Sequence, residues 1–140
     1  MKKIKLTIAT TAILLLFFTG CDKDIRNKYI GDWEFITKID SAQFDYDLND
    51  WIPLGFDTIS YFGKITRGKY NDELIIQYTK QNEVTVWINH NGNLWTSLYG
   101  TSSGCFEGKD KMYLTLSCSK YGGFGTDYFI EGTKKEGRKK

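Results

Sequence analysis

From Tyr29 onward the apolar residues recur at every second position in short runs, and each run stops at a cluster of turn-forming residues. That rhythm puts one face of a segment on a core and the other in water, the pattern of half-buried β-strands. In the first run Trp33, Phe35, Thr37 and Ile39 alternate with Glu34, Ile36 and Lys38. Residues 41–57 have no usable period and carry Pro53 and Gly55, so a long loop is expected there. Alternation resumes over residues 58–65. Further strands are expected over 74–79, 84–89, 94–99, 105–107, 112–119 and 127–134. Short strands joined in sequence by turns point to an antiparallel barrel or sandwich, and consecutive hairpins favour a meander.

One register stays open at this stage. Asn91-Gly92 is a strong hairpin signal, because both residues accept the positive φ angles of a two-residue type I′ turn. Such a turn puts Ile88 and Trp95 on one face. One extra loop residue aligns Ile88 with Thr96 instead and switches every side chain of that strand. The cysteines follow from a second hairpin. A tight turn at residues 108–111 sets Cys105 opposite residues 113–115, which leaves Cys118 about 10–16 Å away along the strand. A disulfide tolerates a Cα separation of only ~7 Å, so two unbridged thiols are expected.

Upstream of the strands lies a different kind of segment. Lys2, Lys3 and Lys5 precede an apolar run from Leu6 to Phe18, and Thr19-Gly20-Cys21 closes it. The run is too short for a bilayer span, which needs about 20 apolar residues. A cationic start, a short apolar middle and small residues before a cleavage point describe an export signal. With the cysteine directly after Gly20, the stretch resembles the lipobox of bacterial lipoproteins. That resemblance implies a diacylglycerol thioether and an N-acyl (palmitate-type) chain on Cys21, with removal of residues 1–20. It further implies lipid anchoring in the cell envelope, at the outer membrane. Residues 21–28 then read as a polar lipidated tether, residues 29–134 as the folded domain and residues 135–140 as a basic tail.

Cleavage changes the charge balance. Without Lys2, Lys3 and Lys5 the 19 Lys and Arg fall to 16, against 17 Asp and Glu. A near-neutral domain argues against nucleic acid as a partner. The remaining 120 residues make one domain, large enough for a core without disulfide staples.

Gly31-Asp32-Trp33 opens the first strand, and Ile130-Glu131-Gly132-Thr133-Lys134 ends the last. Together with the lipobox and eight strands, these residues resemble the small lipocalin-like lipoproteins of Bacteroidetes envelopes. The resemblance implies an all-β, eight-stranded antiparallel meander barrel plugged at its closed end by Trp33. Lys134 is the candidate for a cation over that ring, an interaction of about 0.5–1 kcal/mol. It also implies that the first long connection lies over the open end. Phe44, Tyr46, Trp51 and Phe56 would then face a small apolar or aromatic ligand, with Tyr61, Ile76 and Val86 lining the mouth. The competing reading folds those rings down as a plug and leaves a filled barrel that serves as an accessory protein-interaction module. Trp87, Trp95, Tyr99 and Tyr113 supply a candidate aromatic surface, or ordinary cross-strand packing.

Catalytic chemistry finds little support, and a binding protein is expected rather than an enzyme. His90, the single histidine, flanks a turn and is expected to be exposed. No cofactor is implied beyond the acyl chains on Cys21. Asp45, Asp47 and Asn49 match the first ligands of a calcium loop, but Asp50 stands where its glycine belongs and Phe56 where its glutamate belongs. They form a weak metal candidate.

Overall fold

A computed structural model describes residues 24–97, 101–120 and 123–136. A single turn of 3-10 helix, Ile25–Lys28, leads into eight strands. These are β1 (Gly31–Asp45), β2 (Asp50–Arg67), β3 (Glu73–Gln77), β4 (Glu83–Ile88), β5 (Asn93–Trp95), β6 (Thr101–Glu107), β7 (Lys111–Lys120) and β8 (Phe124–Lys134). Each strand pairs antiparallel with the next, and β8 returns to β1 to close the barrel. The expected eight-stranded meander is therefore what the chain forms, the up-and-down order of lipocalin-like barrels.

The core follows from the alternation. Trp33, Phe35 and Thr37 of β1 point inward and are fully buried, as are Ile65 of β2, Leu74 and Ile76 of β3 and Val86 of β4. Met112, Leu114 and Leu116 of β7 and Ile130 of β8 complete the packing. A side chain lining a water-sized void would keep accessible surface. Trp33, Phe35, Ile76, Val86, Met112 and Leu116 keep none, so the space between them is filled.

Thr37 carries the one polar atom that this packing strands among the described residues. Its Oγ1 is buried without a hydrogen-bond partner. An unpaired buried hydroxyl costs about 1–3 kcal/mol, so the isosteric Thr37→Val should be neutral or gain about 1 kcal/mol. Chemical denaturation of both proteins checks this, and a clear loss of stability in the valine variant would show that the hydroxyl has a partner.

Residues 41–57 are not a loop. They form the upper arms of the β1–β2 hairpin, in register from Ser41↔Gly55 to Asp45↔Asp50. The missing period has a physical cause. These arms project past the short strands β3–β5, water reaches both faces, and no selection for alternating apolar residues acts on them. Pro53 is tolerated because β2 has no second neighbour at this height. A bulge lies beside it, where the register slips by one residue around Leu54 and Gly55 takes φ 141°.

The open register is settled, and one further expectation is corrected. The Asn91-Gly92 hairpin has a three-residue loop, His90-Asn91-Gly92, with Gly92 in the left-handed region at φ 82°. Ile88 thus faces Leu94, Thr96 shares that inner face, and Trp87 and Trp95 meet on the outside. The tether is also shorter than residues 21–28. From Asp24 the chain is folded against the barrel, with Ile25 packed on the core and Arg26 buried. The tail shortens likewise, since Lys135 donates its backbone N–H to the Asp32 carbonyl. Cys105 and Cys118 are both free thiols. Cys105 faces Tyr113, as the hairpin argument requires.

Candidate functional site

The two rims of the barrel differ in kind. At the closed end Trp33 donates its indole N–H to the Tyr29 carbonyl at 2.8 Å. Its ring lies 6.4 Å from Phe35 and 5.8 Å from Phe106, which in turn stacks on Tyr29 at 3.7 Å. Burial pushes the Tyr29 phenol pKa up. Trp33 is thus fully buried at this end of the barrel. Lys134 plays another part than the expected one. Its ammonium reaches the Lys28 carbonyl at 2.7 Å, where it ties β8 to the 3-10 turn, and cation–ring contacts among the described residues fall elsewhere. Desolvation, with Lys109 nearby, lowers the Lys134 pKa.

Sequence reasoning missed the main fastening of this end. Asp24 caps the 3-10 turn by accepting the Arg26 backbone N–H at 3.0 Å. Arg26 returns a two-pronged contact to the same carboxylate, 2.8 Å from Nε and 2.7 Å from Nη2. Nη1 donates to the Tyr70 carbonyl at 2.6 Å, which locks the turn onto the β2–β3 connection. The signal was present as Asp-x-Arg, although in polar surroundings it read as tether. The Arg26 hydrogen bond holds the Asp24 carboxyl at about 2, below its ordinary 3.8. A depressed carboxylate stabilises the fold above its unfolded pKa, and that contribution disappears as pH falls through the folded value. Acid titration from pH 4 to pH 2 should therefore weaken the native protein more than Asp24→Asn, which lacks the titrating group. Equal acid sensitivity would contradict the pairing.

The open end is dominated by the projecting hairpin. Phe44, Tyr46 and Trp51 gather at its tip, with Phe44 edge-on to Tyr46 at 5.2 Å and to Trp51 at 5.4 Å. The Trp51 ring lies over Gly125 of β8, where a Cβ would sit 3.2 Å from the ring. Asp40, Ser117 and Asp127 line the outer groove beside it, a cleft of about 360 Å³. A second cleft of about 320 Å³ lies among Gln43, Asp45, Tyr46 and Ile52.

The seven candidate ligand-binding residues do not converge. Phe44, Tyr46 and Trp51 form the tip cluster, and Phe56 lies lower on the outer face, paired with Asp40 and 90% exposed. Tyr61 points inward and is half-buried. Ile76 and Val86 are sealed in the core with no accessible surface. The rings are not a lid over a cavity, because the segment that carries them continues the barrel wall instead of crossing its mouth. The Asp45 carboxylate accepts the backbone N–H groups of Asp47 and Leu48 at 2.8 and 3.0 Å, so it shapes the turn. Among the described residues no group of three or more His, Cys, Asp or Glu is placed to hold a metal ion. His90 is exposed at its turn. Of the aromatic surface, Trp87 and Trp95 lie 6.4 Å apart on the outside, Tyr113 is exposed, and Tyr99 falls outside the described residues.

Fold and rims together define a closed, filled, up-and-down β-barrel with one sealed and one aromatic end. No protein-family pattern matches the sequence, and no curated protein does either. Two solved structures are similar in outline. One is aphrodisin, a sex pheromone from female hamster, with 20% identity and a TM-score of 0.38 over 76% of this chain and 75% of that one. The other is the odorant binding protein OBP1, with 14% identity and a TM-score of 0.38 over 81% of this chain and 76% of that one.

Proposed function

We propose that this protein is a lipid-anchored interaction module of a bacterial cell envelope, attached to the outer membrane through acylated Cys21. Its filled barrel acts as a rigid stand for an exposed aromatic wall. The observation that carries the reading is a contrast across three successive strands: Ile76 and Val86 have no accessible surface, whereas Phe56 is 90% exposed. Apolar surface is outside and the interior has no room, the arrangement of a docking protein rather than a container. Asp24 is folded against the barrel three chain steps after Cys21, a separation of at most about 10 Å. The sealed end therefore faces the membrane, and the hairpin tip reaches about 45 Å further along β1.

A second reading, a small apolar or aromatic ligand in a shallow mouth, is favoured by the inward-facing, half-buried Ile39, Ile59, Tyr61 and Tyr128 above the core. Native mass spectrometry of the protein from its own host separates the two. A retained small molecule of fixed mass would favour the container. The anchor has its own test. Labelled palmitate should enter the wild type and sediment with membranes, and Cys21→Ser should lose both label and sedimentation. Unlabelled wild-type protein in the soluble fraction would end the anchored reading.

A further inference from the structure

The geometry points to strand addition: the free edge of β2 over residues 56–62 takes up an extended segment of another protein, uncharged except for one basic residue opposite Asp57. This rests on the interaction-module reading and names the partner's chemistry. Along its whole length β2 pairs with β1, but with β3 it pairs only from Lys64↔Gln77 to Arg67↔Leu74. Above Lys64, alternate N–H and C=O groups on the far edge thus have no ladder partner among the described residues. The Asp57 carboxylate accepts the Thr58 N–H at 2.7 Å, and another extended backbone matches the remainder of such a row.

Edges meant to stay single are usually guarded by charged side chains, proline, bulges or shortness. Here Pro53 and the Leu54–Gly55 bulge sit at the top, Lys135 lies over the Phe62 ring at the bottom, and Asp57 is the one charge on the stretch between. That stretch, Phe-Asp-Thr-Ile-Ser-Tyr-Phe, has no lysine and no proline, and its residues favour strands. Phe56 and Phe62, 90% and 69% exposed, bracket Thr58 and Ser60 on the outer face. A strand laid alongside would bring its own side chains within about 5 Å of theirs.

A second copy meets the backbone requirement but fails on polarity. Antiparallel pairing about a twofold centred on Ile59 would set Phe56 of one copy against Phe62 of the other. It would also turn the two sealed ends, and both Cys21 anchors, to opposite poles. One membrane cannot hold both. The occupant is therefore a segment of a different chain, about 20 Å long when extended.

The test uses the full chain in detergent and a capped seven-residue probe of alternating valine and threonine, with one lysine placed to face Asp57. Backbone amides of residues 56–62 should exchange about tenfold more slowly with the probe. The same peptide N-methylated at alternate residues should leave exchange unchanged. Thr58→Lys with Ser60→Lys should restore the probe-free rate while the circular dichroism of the barrel stays as it was. The proposal is overturned by no slowing at millimolar probe, or by equal slowing with the methylated peptide. Slowing without any probe that grows with protein concentration also overturns it, since the occupant is then a second copy. None of these readouts depends on palmitate at Cys21, so loss of the anchor and loss of the edge site are told apart.

Discussion

Trp33→Ala should lower the unfolding free energy by about 3–5 kcal/mol, the range for deleting a large buried ring. Trp33 has no accessible surface and touches the rings of both Phe35 and Phe106. Its indole N–H also satisfies the Tyr29 carbonyl, which holds the 3-10 turn over the sealed end. Removal therefore opens a cavity and strands a buried acceptor. Trp33→Phe separates the two effects, since it keeps much of the volume and loses only the hydrogen bond, worth about 1 kcal/mol. Urea unfolding followed by circular dichroism measures both. A loss below about 1 kcal/mol for the alanine variant would mean that the sealed end is not packed as described.

Gly63→Ala is the second large effect, and it acts through backbone contact. A Cβ on Gly63 would lie 1.9 Å from the Gln77 carbonyl oxygen and 3.0 Å from the Phe35 and Tyr61 rings. The rings can shift, but the carbonyl belongs to the β2–β3 ladder next to Lys64↔Gln77. One methyl group must therefore push two strands apart where the barrel wall is only four pairs deep. A loss of about 3 kcal/mol or more is expected, at the upper end for overpacking. Gly55→Ala provides the contrast. Nothing lies within 4 Å of its Cβ, and only the φ of 141° opposes a side chain. Its cost should stay near 1–2 kcal/mol. Equal losses at the two glycines would show that backbone strain, not the close approach, governs Gly63.

The sequence predicted the barrel well where one face of a strand meets the core. Trp33, Phe35 and Ile65 alternate with outward-facing neighbours because burial acts on every second residue there. The same reasoning failed over residues 41–57, where both faces meet water and no alternation is selected. It failed again at Arg26, whose neighbours are polar although its guanidinium is buried between Asp24 and the β2–β3 connection. The candidate binding residues were drawn from a loop that turned out to be wall, so they scattered between tip, outer face and core.

By itself the sequence determined the strand rhythm and the inward-facing tryptophan of the first strand. These are local properties, set by which neighbours along the chain are apolar, small or charged. Only the tertiary structure decided that the core is full, that β2 outruns β3 and that the upper edge of β2 faces solvent. Those depend on how far each strand extends beside another, and hydrogen bonds between distant segments fix that length.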